Sequence, residues 1–355
     1  MEDKILSIIV PSYNMEVYLP KCLGSLVIDD KELLQKLDVI VVNDGSRDRT
    51  SEIAHEFESR YPDVFRVVDK PNGHYGSCIN AALPIVKGTY VKVLDADDYF
   101  DSQILGRYLS FLRNIMRDGH SPDLILSGYI NESLDETLLS KCIPSYQEGK
   151  VHIIDSLDDC SLCIHTVMTF KTNLFAGINY RQTEGICYTD VEWVMFPLAG
   201  CRDYTCFPHA LYHYLVGRDG QSMERAQLSK NLWMWEKVGL GLVRGVPKVL
   251  SGATDAHRQF VMRNVGNVFV NLYKMCICGY GRGSYDDQLR ALDDRLGKEA
   301  PEVFMYITKA CVYSSVVPYN FVVDWRRRSC LLRLRLVVAR IKTAVVNRWH
   351  ALSQK

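Results

Sequence analysis

Residues 37–50, LDVIVVNDGSRDRT, contain a run of β-branched side chains followed by turn-forming residues and a helical pattern. The run VIVV is apolar at consecutive positions, which indicates a strand that is buried on both faces. Asp44 and Gly45 favour a turn after this strand, and a helix is predicted over 50–60. A strand buried on both faces and followed by a helix is typical of a parallel sheet with helices on both sides.

The same pattern of a buried strand and a following helix extends on both sides of this stretch. Further strands are predicted over 5–10, 64–68, 90–94, 123–127, 166–171 and 206–216, and further helices over 17–26, 76–86, 105–117 and 190–198. In parallel sheets of this kind, ligands bind beyond the carboxyl ends of the strands. The sequence therefore predicts an α/β fold with a mostly parallel central sheet, in which the polar residues that follow the strands meet at one edge.

The part of the chain that follows the α/β pattern is helical in character, with breaks expected near Gly239–Gly245 and Gly279–Gly283. We therefore predict three parts: an α/β domain over 1–220, a helical region over 221–310 and a basic amphipathic tail over 311–355. A chain of 355 residues is long enough for this arrangement.

The charge of the chain is unevenly distributed, although its 42 basic and 42 acidic residues sum to zero. Residues 326–355 hold nine Lys or Arg and no acid, so the remainder has 33 basic against 42 acidic residues, a net charge of −9. The body is therefore not a basic surface for nucleic acid, and no nucleic-acid partner is expected.

The twelve cysteines follow no regular spacing, and we interpret them as reduced thiols of a cytoplasmic protein. Cys160-x-x-Cys163, with His165 nearby, lacks the second pair that a zinc site requires. The N-terminal residues include two acids before a short apolar run, which does not fit a signal peptide. No stretch reaches the length of a membrane-spanning helix.

The acidic stretch Asp95-Ala96-Asp97-Asp98 directly follows the strand predicted over 90–94. Several carboxylates held together repel one another, so a site that keeps them charged usually contains a cation. Carboxylate oxygens suit Mg²⁺ or Mn²⁺, which bridge diphosphates. Taken alone, acids at a strand end more often cap a helix or lie in solvent. The neighbouring motifs favour the metal site.

Four stretches resemble, in their order and separation, the family 2 inverting glycosyltransferases of the GT-A fold. They are IIVPSYN at 8–14, VVNDGSRDRT at 41–50, KPNGHYGSCINAAL at 70–83 and VKVLDADDYF at 91–100. The resemblance extends over about residues 5–225. It implies a Rossmann-like nucleotide-diphospho-sugar transferase fold, here with a C-terminal helical extension, and a UDP- or dTDP-sugar as donor.

The resemblance also implies roles for individual residues. Asp97 is the expected metal ligand, with Asp95 near the metal or the ribose, Asp44 accepts the imide N–H of the base, and Tyr13 lies under its ring. The expected donor-nucleotide contacts are Pro11, Ser12, Tyr13, Asn14, Asp44, Asn72, Gly73, Asp95, Ala96, Arg218 and Ser222. The residues alone leave alternatives open: a turn cap for Asp44, a packed rim aromatic for Tyr13 and a surface ion pair for Arg218.

An inverting transfer requires a carboxylate that takes the proton of the acceptor hydroxyl. The segment EGICYTDVEW at 184–193 supplies the candidates, and the resemblance places Asp190 in the role of the base. The family often has Glu-Asp at this point, whereas this chain has Thr189-Asp190. That departure leaves Glu192 as a second candidate, and Asp190 as a helix cap remains the alternative.

The tail contains an apolar stripe at helical spacing, formed by Leu331, Leu334, Val338, Ile341, Val345 and Trp349. Basic residues lie mostly off this stripe, a pattern typical of a helix on an anionic membrane surface. The alternative is a helix that packs on the acidic body of the protein itself. We expect a cytoplasmic protein that binds the inner face of the cell membrane through this tail.

The sequence thus predicts a metal-dependent inverting glycosyltransferase. Its expected acceptor is the hydroxyl of a saccharide or of a lipid-linked glycan in bacterial envelope polysaccharide synthesis. The alternative is a non-catalytic protein of the same fold that binds a nucleotide sugar or acts as a scaffold. A sugar nucleotidyltransferase is disfavoured because PSYNMEVYL lacks a Gly-rich, Arg-containing loop. A dinucleotide oxidoreductase is disfavoured because no GxGxxG follows the first strand.

Overall fold

The structure is a computed structural model that describes residues 4–218, 225–279, 286–311 and 318–353. The chain forms two compact units. The first unit comprises Met1–Gln221 and Gly245–Arg258, and the second unit comprises Ser222–Arg244 and Gln259–Lys355.

The described strands of the first unit form one sheet. They are β1 (Leu6–Ser12), β2 (Leu37–Asn43), β3 (Phe65–Asp69), β4 (Tyr90–Val93), β5 (Tyr99–Phe100), β6 (Leu124–Ser133), β7 (Leu138–Cys142), β8 (His152–Ile153), β9 (Met168–Lys171) and β10 (Asp203–Val216). The strand order is β3-β2-β1-β4-β9-β6-β10-β5, with β7 paired to β6 and β8 to β10. The pairs β1–β2, β1–β4, β2–β3 and β6–β10 are parallel, while β9 is antiparallel to both neighbours. The predicted α/β fold with a mostly parallel sheet is confirmed.

Helices follow the strands of the first unit and continue through the second. They are α1 (Leu19–Gly24), α2 (Lys31–Leu34), α3 (Thr50–Arg60), α4 (His74–Ala82), α5 (Ser102–Arg117), α6 (Asn173–Gly177), α7 (Asp190–Gly200), α8 (Arg225–Val249), α9 (Asp255–Lys274), α10 (Asp286–Glu299), α11 (Pro301–Ala310), α12 (Phe321–Arg326) and α13 (Leu332–Ser353). A π-helical turn, Met275–Gly279, follows α9.

The central strands are buried because both faces of the sheet are covered. Every residue of β2 is buried, as its unbroken apolar run indicates. The one charged residue of β2, Asp38, is 2% exposed and accepts hydrogen bonds from Ser7 Oγ at 2.6 Å and Arg66 Nε at 2.9 Å. A buried carboxylate is tolerated when it is paired in this way, so these contacts join β1, β2 and β3 at the edge opposite their carboxyl ends.

The expected helix break near Gly239–Gly245 is wrong, because α8 continues through both glycines. A Cβ atom at Gly239 would lie 2.7 Å from the Phe269 ring, and one at Gly245 would lie 2.6 Å from the Phe196 ring. These glycines therefore allow aromatic rings to pack against the helix backbone. The second expected break begins at the π-helical turn, and residues 280–285 lie outside the described part of the chain.

Candidate active site

The carboxyl ends of three parallel strands meet at one edge of the sheet. Ser12 at the end of β1 pairs in register with Asn43 at the end of β2. The backbone N–H of Asp44 donates to Ser12 O at 2.8 Å, which closes the two strand ends together. On the other side, β4 pairs with β1 and leads directly into Asp95. The polar clusters that lie far apart in the sequence therefore share one edge.

Asp44 is buried at this edge, with only 3% of its surface exposed. Its Oδ1 atom accepts hydrogen bonds from Lys70 Nζ at 2.6 Å, Gly73 N at 2.9 Å and Ser77 Oγ at 3.4 Å. Within the described residues, its Oδ2 atom accepts no hydrogen bond. The carboxylate is thus fixed through one of its two oxygens.

The asparagines predicted at the nucleotide site hold the surrounding loops. Asn72 Nδ2 donates to Asp44 O at 2.9 Å, and Asn14 Oδ1 accepts from Arg47 N at 2.9 Å. Ser12 is buried, and its hydroxyl donates to Val10 O at 3.2 Å. Tyr13, by contrast, has 42% of its surface exposed. Of this group, the Tyr13 ring is the part that is open to a ligand.

The acidic cluster lies between β4 and β5. Asp95, Asp97 and Asp98 each have an oxygen within 4.8 Å of the others, and they are the one such group of three or more potential metal ligands among the described residues. Asp98 is 2% exposed and accepts from Tyr212 Oη and Leu215 N, both at 2.7 Å. Burial and the two neighbouring carboxylates raise the pKa of Asp98 well above its usual range. Asp98 therefore joins the cluster to β10.

Asp97 forms an ion pair with Arg218, whose Nε donates to Asp97 Oδ2. Burial and Asp95 raise the pKa of Asp97, and Arg218 opposes that effect. The Arg218 guanidinium also lies 5.7 Å from the centre of the Tyr18 ring. Arg218 therefore forms an ion pair, as the alternative considered for it expected, but the pair is largely buried and belongs to the acidic cluster. Ala96 is 2% exposed, and Ser222 lies outside the described residues.

His165 connects the acidic cluster to the candidate base. Its Nε2 atom lies 3.1 Å from Asp95 Oδ2, and its Nδ1 atom lies 3.8 Å from Asp190 Oδ2. Burial lowers the pKa of His165, but the two carboxylates outweigh burial, so the net shift is upward. The sequence drew attention to this residue only as a neighbour of Cys160 and Cys163. Its role became visible only when the fold brought three distant segments together.

Asp190 is the first residue of α7, and its side chain is 41% exposed. The N-cap position belongs to Thr189, so Asp190 is not the helix cap. Partial withdrawal from solvent raises the pKa of Asp190, His165 lowers it, and Asp95 raises it further. The net result is a carboxylate with a raised pKa at an accessible position, which are the properties of a general base.

Glu192 occupies a different environment, with 3% of its surface exposed. Its Oε2 atom accepts from Thr183 N at 2.7 Å, and its Oε1 atom accepts from Thr183 Oγ1 at 2.8 Å. Both oxygens are therefore engaged in holding the loop that precedes α7. This arrangement favours Asp190 over Glu192 as the base.

The first turn of α4 is pressed against the loop that precedes α7. A Cβ atom at Gly76 would lie 2.0 Å from Thr183 O, and Gly185 N donates to Gly73 O at 2.9 Å. Tyr188 has a positive φ of 65° although it is a buried aromatic residue, a strained conformation for a side chain of this size. Such strain persists where packing enforces it, and it is concentrated at functional sites. The glycine-rich turn therefore sets the position of the segment that carries Asp190.

The hydroxyl of Tyr75 is buried and has no hydrogen-bond partner among the described residues. Its pKa is raised well above the usual range by burial and then by Asp95 and Asp190. A buried hydroxyl without a partner loses the free energy of hydrogen bonding to water. By contrast, His213 lies 3.2 Å from Glu132 and stacks on Tyr99, which is a packed position and not a metal site.

The sequence of the chain is similar to known glycosyltransferases. Residues 7–129 match the family model for glycosyl transferase family 2. The uncharacterized glycosyltransferase MG025 homolog of Mycoplasma pneumoniae is 36% identical over 127 residues, which is 35% of this chain and 39% of that protein. The minor teichoic acid biosynthesis protein GgaB of Bacillus subtilis is 28% identical over 231 residues, which is 63% of this chain and 24% of that protein. The chain thus spans well under half the length of these curated relatives.

The fold is similar to that of TarS from S. aureus. The crystal structure of TarS residues 1–349 in complex with UDP-GlcNAc matches with a TM-score of 0.56 at 17% sequence identity, over 88% of this chain and 94% of that chain. At this identity the similarity is evidence for the fold alone. The fold of this chain is that of the GT-A glycosyltransferases, with helices at the C-terminus. Within this fold, residues 7–129 are similar in sequence to glycosyl transferase family 2.

Proposed function

We propose that the protein transfers a sugar from a UDP- or dTDP-sugar to an acceptor hydroxyl with inversion, and that Asp190 is the base. The observation that carries this proposal is the position of His165 between two carboxylates. Asp95, 3.1 Å from one ring nitrogen, is on the donor side, and Asp190, 3.8 Å from the other, is on the acceptor side. The two sites that a transfer reaction must bring together are therefore adjacent.

The nucleotide base is proposed to bind between Tyr13 and Asp44. The exposed ring of Tyr13 supports stacking of the base. The unbonded Oδ2 of Asp44 supports recognition of the imide N–H that uracil and thymine share. Asn14, Asn72 and Gly73 shape this pocket through the loop contacts described above, and Pro11 and Ser12 end the strand beneath it.

Asp95 and Asp97 are the residues that would hold a divalent cation. Their carboxylate oxygens fit Mg²⁺ or Mn²⁺, and Asp98 holds the turn rather than the ion because both its oxygens accept protein hydrogen bonds. When bound, the ion neutralises charge on the departing nucleoside diphosphate. The pairing of Arg218 with Asp97 supports a second role for Arg218. It balances this carboxylate in the free protein and contacts the diphosphate when the donor is bound.

In the proposed reaction, the acceptor hydroxyl gives its proton to Asp190. The acceptor oxygen forms a bond to the anomeric carbon as the bond from that carbon to the diphosphate breaks, and the electron pair leaves with the diphosphate. His165 is a positioning residue that orients Asp190. The raised pKa of Asp190 makes its carboxylate a stronger base than an ordinary aspartate.

The acceptor is proposed to be a saccharide or a lipid-linked glycan of a bacterial envelope polymer. Similarity to GgaB and to the poly(ribitol-phosphate) beta-glucosyltransferase of Bacillus spizizenii supports this class of acceptor; the second protein is 28% identical over 62% of this chain and 34% of its own length. A non-catalytic nucleotide-sugar binding or scaffold protein of the same fold is the second candidate, because the match covers only part of each relative.

The proposal is tested by measuring thermal stabilisation by UDP-sugars and dTDP-sugars with and without Mn²⁺, and then donor turnover. A ligand that binds only the folded state raises the melting temperature. We expect Asp97→Asn to lose the Mn²⁺-dependent stabilisation, while Asp190→Asn keeps it and loses turnover. Stabilisation without turnover in the wild-type protein, over a panel of saccharide acceptors, would favour the non-catalytic alternative. No stabilisation by either nucleotide would refute the donor site.

A further inference from the structure

Helix α13 in the second unit has a buried face and an exposed apolar face. Leu336 and Ala339 are 7% and 2% exposed, and α13 packs with α12. The exposed stripe, which we call the α13 stripe, has exposed fractions between 42% and 62% and consists of Leu331, Leu334, Val338, Ile341 and Val345. At about 100° per residue, the stripe lies on the opposite side of the helix from Leu336 and Ala339.

Basic side chains border the α13 stripe on both sides. The same helical spacing places Arg333 and Arg340 along one border, and Arg335 and Lys342 along the other. All four are exposed. Long basic side chains such as Arg333, Arg340 and Lys342 can extend to the headgroups of a bilayer while the stripe enters its apolar layer, whereas Arg335 is paired with Asp324.

The orientation of the helix is fixed by contacts within the second unit. Arg335 donates to Asp324 of α12 at 2.6 Å. Arg326, the last residue of α12, pairs with Asp293 of α10 at 2.7 Å. The buried face therefore remains on α12, and the α13 stripe is exposed in the folded chain.

The charge around the stripe selects the kind of partner. Residues 325–355 contain no acidic residue. A second copy of the chain would bring two basic borders against each other, which is unfavourable, whereas an anionic lipid surface complements them. Among the described residues, no helix is long and apolar enough to cross a membrane. We propose that α13 lies in the surface of an anionic lipid bilayer and embeds the α13 stripe in it.

The test measures binding of the full-length protein to vesicles of phosphatidylglycerol and of phosphatidylcholine by co-sedimentation. We expect salt-sensitive binding to the anionic vesicles and little to the neutral ones. The double variant Leu334→Asp/Ile341→Asp should lose this binding. Leu138→Asp/Leu139→Asp on β7 is the matched control, because these leucines are 58% and 54% exposed and lie in the first unit. The control should bind as the wild type does.

A second double variant tests the basic borders. Arg340→Gln/Lys342→Gln should weaken partition onto anionic vesicles by about 30-fold, since each basic residue near such a surface contributes about fivefold. Point substitutions are preferable to truncation at residue 326, which would leave the buried carboxylate of Asp293 without Arg326. Circular dichroism and nucleotide-induced thermal shifts establish that each variant is folded.

Three outcomes would overturn the proposal. The first is failure of the wild type to bind anionic vesicles at low salt. The second is undiminished binding by a folded Leu334→Asp/Ile341→Asp variant. The third is a wild-type dimer, seen by sedimentation velocity, that this variant abolishes while vesicle binding is absent, because the stripe would then be an interface between copies. Each outcome is independent of the proposed donor site, which the nucleotide thermal shift reports separately.

Discussion

The two acids at the start of α7 allow a sharp test of the proposed mechanism. Asp190→Asn and Glu192→Gln each replace one carboxylate by an amide of nearly the same shape. Asp190 is accessible and its nearest charged partner, His165 Nδ1, is 3.8 Å away, whereas both oxygens of Glu192 are hydrogen-bonded to Thr183. Asp190→Asn should therefore lose turnover, whereas Glu192→Gln should lose stability.

The expected magnitudes follow from these contacts. Loss of a general base lowers turnover by about 10²–10⁴-fold. Asp190→Asn should do so with unchanged or slightly higher stability, because the raised pKa indicates that the charge is unfavourable there. Glu192→Gln leaves one acceptor oxygen for two Thr183 donors, one of which is a backbone N–H. An unsatisfied buried group of this kind lowers the free energy of unfolding by about 1–3 kcal/mol. Each kcal/mol lowers the melting temperature of a domain of 150–250 residues by about 2–4 °C.

The assay combines donor hydrolysis or transfer rates with melting temperatures and with UDP affinity by calorimetry. The affinity of Asp190→Asn for UDP should equal that of the wild type, and this result would establish that the donor site is intact in the variant. Glu192→Gln should melt earlier and retain turnover at temperatures where it is folded. If Asp190→Asn retained most of the wild-type turnover while a folded Glu192→Gln had none, the base would be Glu192 and the proposed geometry would be wrong.

Three further predictions address the buried polar residues. His165→Ala should lower kcat with little change in the KM for the donor, because His165 acts by orienting Asp190. The variant His165→Gln should recover part of the lost kcat. If both variants changed only KM, and by equal amounts, that role would be contradicted. Arg66→Met should destabilise the protein by about 3–5 kcal/mol, because it leaves the buried carboxylate of Asp38 without its ion-pair partner. Denaturant unfolding measures this loss, and Arg113→Met, which removes an exposed ion pair with Glu32, is the control. Burial lowers the pKa of Lys92 to about 7, whereas an unfolded lysine titrates near 10.5. Between these pH values the unfolded state binds more protons than the folded state, so the free energy of unfolding should increase by up to about 1.4 kcal/mol per pH unit from pH 7 upward. The variant Lys92→Met should lack this increase, as measured by denaturant unfolding at several pH values.

Local patterns predicted the framework because its elements are specified by neighbouring residues. The consecutive apolar run of β2 indicated a strand buried on both faces, and helix α3 begins and ends where its pattern does. The short strands β5, β7 and β8 were not predicted. Strands β5 and β8 are held by pairing with β10, which is distant from β5 by about a hundred residues and from β8 by about fifty, and β7 pairs with the preceding strand β6. The breaks expected at Gly239 and Gly245 were wrong, because tertiary packing of aromatic rings outweighs the low helix propensity of glycine.

By itself, the sequence determined the α/β fold, the acidic cluster after β4, and the amphipathic character of the tail, since each depends on residues close together along the chain. Only the tertiary structure decided which partner each acidic side chain contacts. Asp98 is bonded to β10, Asp97 is paired with Arg218, and Asp95 reaches His165, which also faces Asp190. These relations join segments separated by 25 to 121 residues. The environment of a carboxylate depends on the distance and burial of its neighbours in space, and the order of residues along a chain does not specify these quantities.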